Sequence, residues 1–136
     1  MLPLKQLHQK YPSASSWSFG DSPELADELA SLVVYGKKTA TCSAMESCKR
    51  ENSLPVIGAY NIIKDSNERP VCVVRTTVIR LVRFTDVTEE MARKEGEGDL
   101  SLSYWRKEHQ NFFEREGTYS ENMELVFEEF ELIETE

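Results

Sequence analysis

Histidine and cysteine are scarce in this chain, and their scarcity narrows its chemistry before any motif is read. Two histidines, His8 and His109, stand far apart, and three cysteines, Cys42, Cys48 and Cys72, fall outside any metal-ligand spacing. The expectation is therefore no metal and no cofactor, with free buried thiols in a reducing compartment. A reactive thiol at Cys42 is the alternative. No apolar run approaches the roughly 20 residues that cross a bilayer. The first residues, "MLPLKQLHQKYPSASS", hold no apolar core of signal-peptide length. These absences point to a cytoplasmic protein with no membrane partner. No repeat, low-complexity tract or Pro/Gly/Ser linker divides the 136 residues, which read as one domain, 1–136.

Positive charge is also short, 16 Lys/Arg against 24 Asp/Glu for a net charge of −8. The shortfall is uneven: residues 1–85 hold eleven basic against eight acidic side chains, and residues 86–136 five against sixteen. Affinity for long nucleic acid comes largely from phosphate neutralisation, and this balance does not supply it. A nucleoside, or a short RNA held in a local basic cleft, fits better as partner.

What is present is a clear run of elements. "GDSPELADELASLVVYG" predicts a helix capped by Asp21 or Ser22, with Pro23 in its first turn, an apolar stripe of Leu25, Leu29, Leu32 and Val33, and Gly36 as terminator. "KTATCSA" predicts a short strand and "MESCKREN" a helical turn. "LPVIGAYNIIKDSNERPVCVVRTTVIRLVRF" predicts two or three strands around a turn at "KDSNERP", with the segment at 71–76 buried on both faces. Helices follow from Thr88 to Gly96 and from Leu100 to Arg115, then a closing strand in "NMELVFEEFELIE". Helices around short, twisted strands indicate an α+β fold with a small barrel.

Three segments in this order, "GDSPELADELASLVVYGKKTATCS", "RTTVIRLVRFTDVTEEMARKEGEGDLSL" and "YWRKEHQNFF", resemble the ASCH domain of the PUA-like superfamily over residues 17–131. The resemblance implies an α+β fold with a PUA-like small β-barrel of about five to six strands, flanking helices, and a cleft for RNA or a nucleoside. Some bacterial members are similar to amidohydrolases that remove acetate from N4-acetylcytidine. Their lysine, threonine and glutamate fall here on Lys38, Thr41 and Glu95. Others have been assigned ribonuclease activity, so a metal-independent ribonuclease and a non-catalytic RNA reader stand as alternatives. The sequence departs from the family at Ala59, where an acidic residue is usual after "LPVIG", and in the extra segment "AMESCKRENSLP".

Read locally, Lys37 and Lys38 are cations past a helix C-terminus, and positions 38 and 41 of a regular strand would face opposite sides. The helix-to-strand junction lets both aim into one cleft, with Lys37 outside. Burial beside Lys37 would lower the pKa of Lys38, so that a neutral amine takes the Thr41 proton. Thr41 then attacks the acyl carbonyl, or only orients water, and Glu95, its pKa raised by burial, protonates the departing amine. Backbone N–H groups of "TATCS" serve as oxyanion donors. The competing view of Glu95, Glu97 and Asp99 is a solvated loop or capping set; a metal there lacks supporting histidines. Further candidates for ligand contact are Tyr104 and Trp105 for base stacking, Arg106 for a phosphate or carbonyl, and Arg75, a charge inside an apolar strand. His109 shares the face of Trp105 and Phe112 and reads as a core histidine.

Overall fold

The computed structural model describes residues 2–135. Its elements are α1 (Leu4–Lys10), β1 (Ser15–Trp17), α2 (Pro23–Val34), β2 (Ala40–Ala44), α3 (Met45–Glu51), β3 (Tyr60–Lys64), β4 (Pro70–Arg83), a 3-10 turn (Phe84–Asp86), α4 (Glu89–Glu95), α5 (Leu102–Glu116) and β5 (Glu124–Thr135). The local chemistry explains the boundaries. Ser22, Thr88 and Ser101 each accept a hydrogen bond from the N–H three residues on and so start α2, α4 and α5. Gly96 and Gly117, both at positive φ, end α4 and α5. Asp21, the other candidate cap of α2, instead pairs with Arg115.

The strands form one sheet in the order β1-β3-β4-β5-β2. β1 runs parallel to β3, and the other pairs are antiparallel. The ladder between the long strands β4 and β5 shifts register at Val73/Val74 and at Thr76/Val78. Such bulges bend a strand and increase its twist. The sheet curls into a half-barrel that leaves β1 and β2 as its two edges.

The first half of β4, Cys72 to Thr76, is buried on both faces, as its β-branched run requires, while the second half is largely exposed. Val73 packs with Leu7 and Ile62 beneath α1, while Val74 packs with Leu29, Val33 and Phe130 beneath α2. A third cluster joins β2 and β5 to α4 and α5 through Ala40, Phe84, Trp105, Phe113 and Phe127. Phe113 and Phe127 are each 1% exposed, and removing side chains of that size from water stabilises by about 1.5–3 kcal/mol apiece. Trp17 ends β1, and Phe19 is buried beneath α2. Among the described residues no helix is long and apolar enough to cross a membrane.

Candidate functional site

Gly96 decides where the acidic loop sits. Its φ is 71°, and a Cβ there would lie 2.1 Å from the Lys37 carbonyl oxygen and 2.9 Å from Lys38 Cα. Only glycine allows that approach. The Thr39 N–H donates to the Lys94 carbonyl at 2.8 Å, so the end of α4 is clamped to the junction between α2 and β2. Gly98 repeats the device. A Cβ there would fall 2.4–2.5 Å from atoms of the Tyr104 ring, which seats the loop against the start of α5. Glu95 and Glu97 are thereby brought to Lys38.

Lys38 is 2% exposed and Glu95 1%. Lys38 Nζ donates to Glu97 Oε2 at 2.7 Å, to Glu95 Oε1 at 3.4 Å and to the Glu95 carbonyl at 3.3 Å. It also lies 5.4 Å above the Phe19 ring. Glu95 Oε2 accepts from Trp105 Nε1 at 2.5 Å. His109 completes the cluster: its ring is stacked on Trp105 at 4.1 Å, Nδ1–H donates to the Trp105 carbonyl at 2.9 Å, and Nε2–H donates to Glu95 Oε1 at 3.3 Å. Both partners of the ring can only accept, so this geometry suits an imidazolium.

The electrostatics reverse two expectations. Burial works to lower the pKa of Lys38, but the carboxylates of Glu95 and Glu97 outweigh it and raise it. Lys37 is exposed and contributes no such lowering. Lys38 is an ammonium, not the neutral amine a base requires. Burial likewise works to raise Glu95, yet His109 and Lys38 hold it down to about 2. Glu95 is a carboxylate, not a proton-loaded acid. His109 is opposed by burial, and the Glu95 carboxylate prevails and raises it.

These groups line a pocket of about 90 Å³ with Phe19, Thr41 and Cys42. Thr41 and Cys42 also line an adjoining cleft of about 700 Å³. Its walls come from β1, β2, α3, the segment 52–56 and the start of β3. Lys38 and Thr41 thus do face one cavity, although no hydrogen bond joins them among the described residues. The segment "AMESCKRENSLP" builds one cleft wall, and Ala59 lines the cleft as well. No Lys or Arg lines the larger cleft among the described residues, whereas Glu51, Glu116 and Glu128 do.

The other candidates are placed elsewhere. Trp105 is 2% exposed, with Phe84 and His109 on its ring; it orients Glu95 and has no face left for a base. Tyr104 packs on Gly98 and lines neither cavity. Arg106 is exposed and donates to the Thr85 carbonyl. Arg75 donates to the Gly58 carbonyl at 3.1 Å and lies over the Tyr60 ring, also outside both cavities. Arg83 is bonded to the Asn122 carbonyl and lines neither cavity.

Sequence reasoning missed His109 and Glu97 as members of the site. The signal was present in part, since His109 lies one turn from Trp105. Glu95, Glu97 and His109 could offer a metal one ligand atom each, all within 4.8 Å of one another. The expected lack of a supporting histidine therefore does not hold. Lys38 Nζ already sits between two of these groups and supplies the positive charge there. Cys42 is no activated thiol, because burial and then Glu95 push its pKa well above 9.

Comparison with known proteins agrees with this architecture. No curated protein matches the chain. An ASCH domain from Lactobacillus crispatus JV V101 superposes with a TM-score of 0.83 at 32% identity, over 94% of this chain and 84% of that one. A protein of Enterococcus faecalis V583 gives 0.84 at 34% identity, over 96% and 85%. A point mutant of an ASCH protein from Zymomonas mobilis shares the fold at 15% identity, with a TM-score of 0.56 over 90% and 67%. The ASCH domain family model matches residues 15–134, and the chain belongs to the ASCH domain family.

Proposed function

We propose that this protein is an amidohydrolase that releases acetate from an N4-acetylcytidine-type nucleoside. The observation that carries this reading is a buried, charge-paired Lys38 that shares a pocket with Thr41, next to a larger cleft whose described walls hold no Lys or Arg. Such a network is expensive to bury and adds little to stability that apolar residues could not supply. Perturbed, desolvated ionisable groups with specific charge partners in a cleft mark a candidate site for chemistry.

In this reading the acetyl group enters the smaller pocket, and the Lys38 ammonium polarises its carbonyl and stabilises the oxyanion. The Thr41 hydroxyl attacks, forming a C–O bond. The tetrahedral species collapses by breaking the C–N bond, and the cytosine amino nitrogen takes its proton from Lys38. Water then attacks the acyl-threonine, returns a proton to the Lys38 amine, and acetate leaves. Glu95, Glu97 and His109 fix the ammonium and carry its countercharge. Neither Lys38 nor Glu95 is placed to take the first proton from Thr41.

The cleft supports a nucleoside over RNA. A ribonuclease or an RNA reader needs cations along the path of the phosphates, and the larger cleft presents carboxylates. The test is to incubate the purified protein with N4-acetylcytidine and follow cytidine and acetate. Turnover is expected, with loss in Lys38→Ala and Thr41→Ala. No turnover, or full turnover in both variants, overturns the reading. Labelled single-stranded RNA with a chelator, run in parallel, should stay intact.

A further inference from the structure

We propose that Glu128 is the general base that takes the Thr41 hydroxyl proton, a role that rests on the acyl-transfer reading above. The argument begins with register. Thr41 on β2 stands directly opposite Glu128 on β5. Side chains of directly opposed residues project from the same face, with β-carbons about 4.5–5.5 Å apart. Both line the larger cleft. The Thr76 hydroxyl on β4 donates to Glu128 Oε2 at 3.0 Å. Thr41, Glu128 and Thr76 therefore form a polar row across three strands, and Glu128 Oε1 accepts no hydrogen bond among the described residues.

Elimination leads to the same residue. Lys38 is protonated and holds two carboxylates. Glu95 already accepts from Lys38 and His109 on one oxygen and from Trp105 on the other, and His109 and Lys38 hold its pKa down, which makes it a weak base. Glu97 is engaged by Lys38. Glu116 accepts from Ser47 and Thr118, and Glu51 ends α3 on the far wall. Glu128 alone is a carboxylate next to Thr41 with no cationic partner among the described residues.

The surroundings make it a better base than a surface glutamate. The groups that face it are Thr41 and Ser43 from β2, Thr76 from β4, Cys48 and Glu51 from α3 and Glu116 from α5, all neutral or acidic. Burial pushes its pKa up, and the single hydroxyl donor offsets that only in part. A carboxylate that binds a proton more readily is the stronger base, provided it is ionised at the working pH.

The proton inventory closes. Thr41 Oγ1–H passes its proton to Glu128 Oε1 as the C–O bond to the acyl carbon forms. Lys38 protonates the departing amine and is restored by the attacking water. When the acyl–oxygen bond breaks, Glu128 returns its proton to Thr41, and both residues finish as they began.

The test compares wild type with Glu128→Gln, which keeps the size and the acceptor for Thr76 but cannot take a proton. General base catalysis contributes about 10²–10⁴-fold, so kcat for N4-acetylcytidine should fall by that much while KM, cytidine affinity by calorimetry and the circular dichroism spectrum stay unchanged. The acidic limb of the wild-type pH–rate profile should vanish in Glu128→Gln and persist, shifted, in Glu128→Asp. A second measurement separates this inference from the substrate reading: acetylation of Thr41 by p-nitrophenyl acetate, followed by intact mass and peptide mapping. Glu128-dependent acetylation without N4-acetylcytidine turnover sustains the base and overturns the substrate. Normal turnover in Glu128→Gln overturns the base alone. No acetylation and no turnover overturn both.

Discussion

Gly96 and Lys37 touch backbone to backbone, with the glycine's missing side chain filled by the Lys37 carbonyl oxygen. Every charged contact of Lys38 depends on that approach. Gly96→Ala should therefore act twice. It places a side chain at positive φ, which costs about 1–2 kcal/mol, and it pushes α4 away from β2. Urea denaturation should show the loss of stability, and the Lys38–Glu95 pairing should loosen with it. Unchanged stability in this variant would refute the clamp.

Lys38 and Glu95 are a pair that only tolerates joint removal. Lys38→Met leaves Glu95 buried with one of its two countercharges gone, a loss of about 3–5 kcal/mol for a broken buried pair. Lys38→Met combined with Glu95→Gln should recover much of it. The single Lys38→Met variant makes a second, independent prediction. Lys38 opposes the charge on His109, so the His109 pKa read by NMR should rise further when the ammonium is removed. An unchanged value would mean that the ring is not responding to Lys38.

The cluster also sets a pH window. Glu95 is lowered from 4.5 to about 2 on folding, so its contribution is present above about 4.5 and is lost as pH falls toward 2. His109 is raised from 6.5, so its contribution is full below 6.5 and is lost as pH rises through the folded value. Together they favour mildly acidic solution. Denaturation midpoints across pH should show both limbs, with the acid limb reduced in Glu95→Gln and the upper limb removed in His109→Gln.

All three thiols should be slow to alkylate in the native state. Burial raises Cys72 to about 12, and it raises Cys48 as well. Cys42 borders the cleft but faces a carboxylate that opposes its ionisation. Iodoacetamide labelling followed by mass spectrometry should find Cys72 modified last. Rapid, selective labelling of Cys42 would contradict this.

The legible part of the molecule was the part governed by neighbours in sequence. The caps at Ser22 and Thr88, the glycine stops, and the doubly buried first half of β4 all follow from local chemistry. The three-residue β1 was not legible, because its parallel pairing with β3 depends on partners more than forty residues away. Lys38, Thr41 and Glu95 were named through a family likeness, and the structure brings all three to one cavity. Their charge states were misjudged because burial was weighed without the partners that burial brings. Glu97 and His109 fill that gap, and neither could be paired with Lys38 from spacing. Tyr104, Trp105, Arg106 and Arg75 were chosen for residue type, and in the fold each is occupied by other contacts. Glu128 escaped notice as one acid among several on a strand with an acidic outer face.

An open sheet edge is ordinarily an aggregation hazard, since half of its amides have no partner. β2 is such an edge, with β5 as its single neighbour. The Phe130 N–H donates to the Thr39 carbonyl, one step beyond the facing pair Ala40 and Glu129. Alternation then turns the Thr41 and Ser43 amides toward β5 and the Cys42 amide away from it. The barrel's failure to close thus leaves a main-chain donor next to Thr41, on a residue that lines the cleft. A sealed barrel of the same sequence would spend that N–H on a sixth strand.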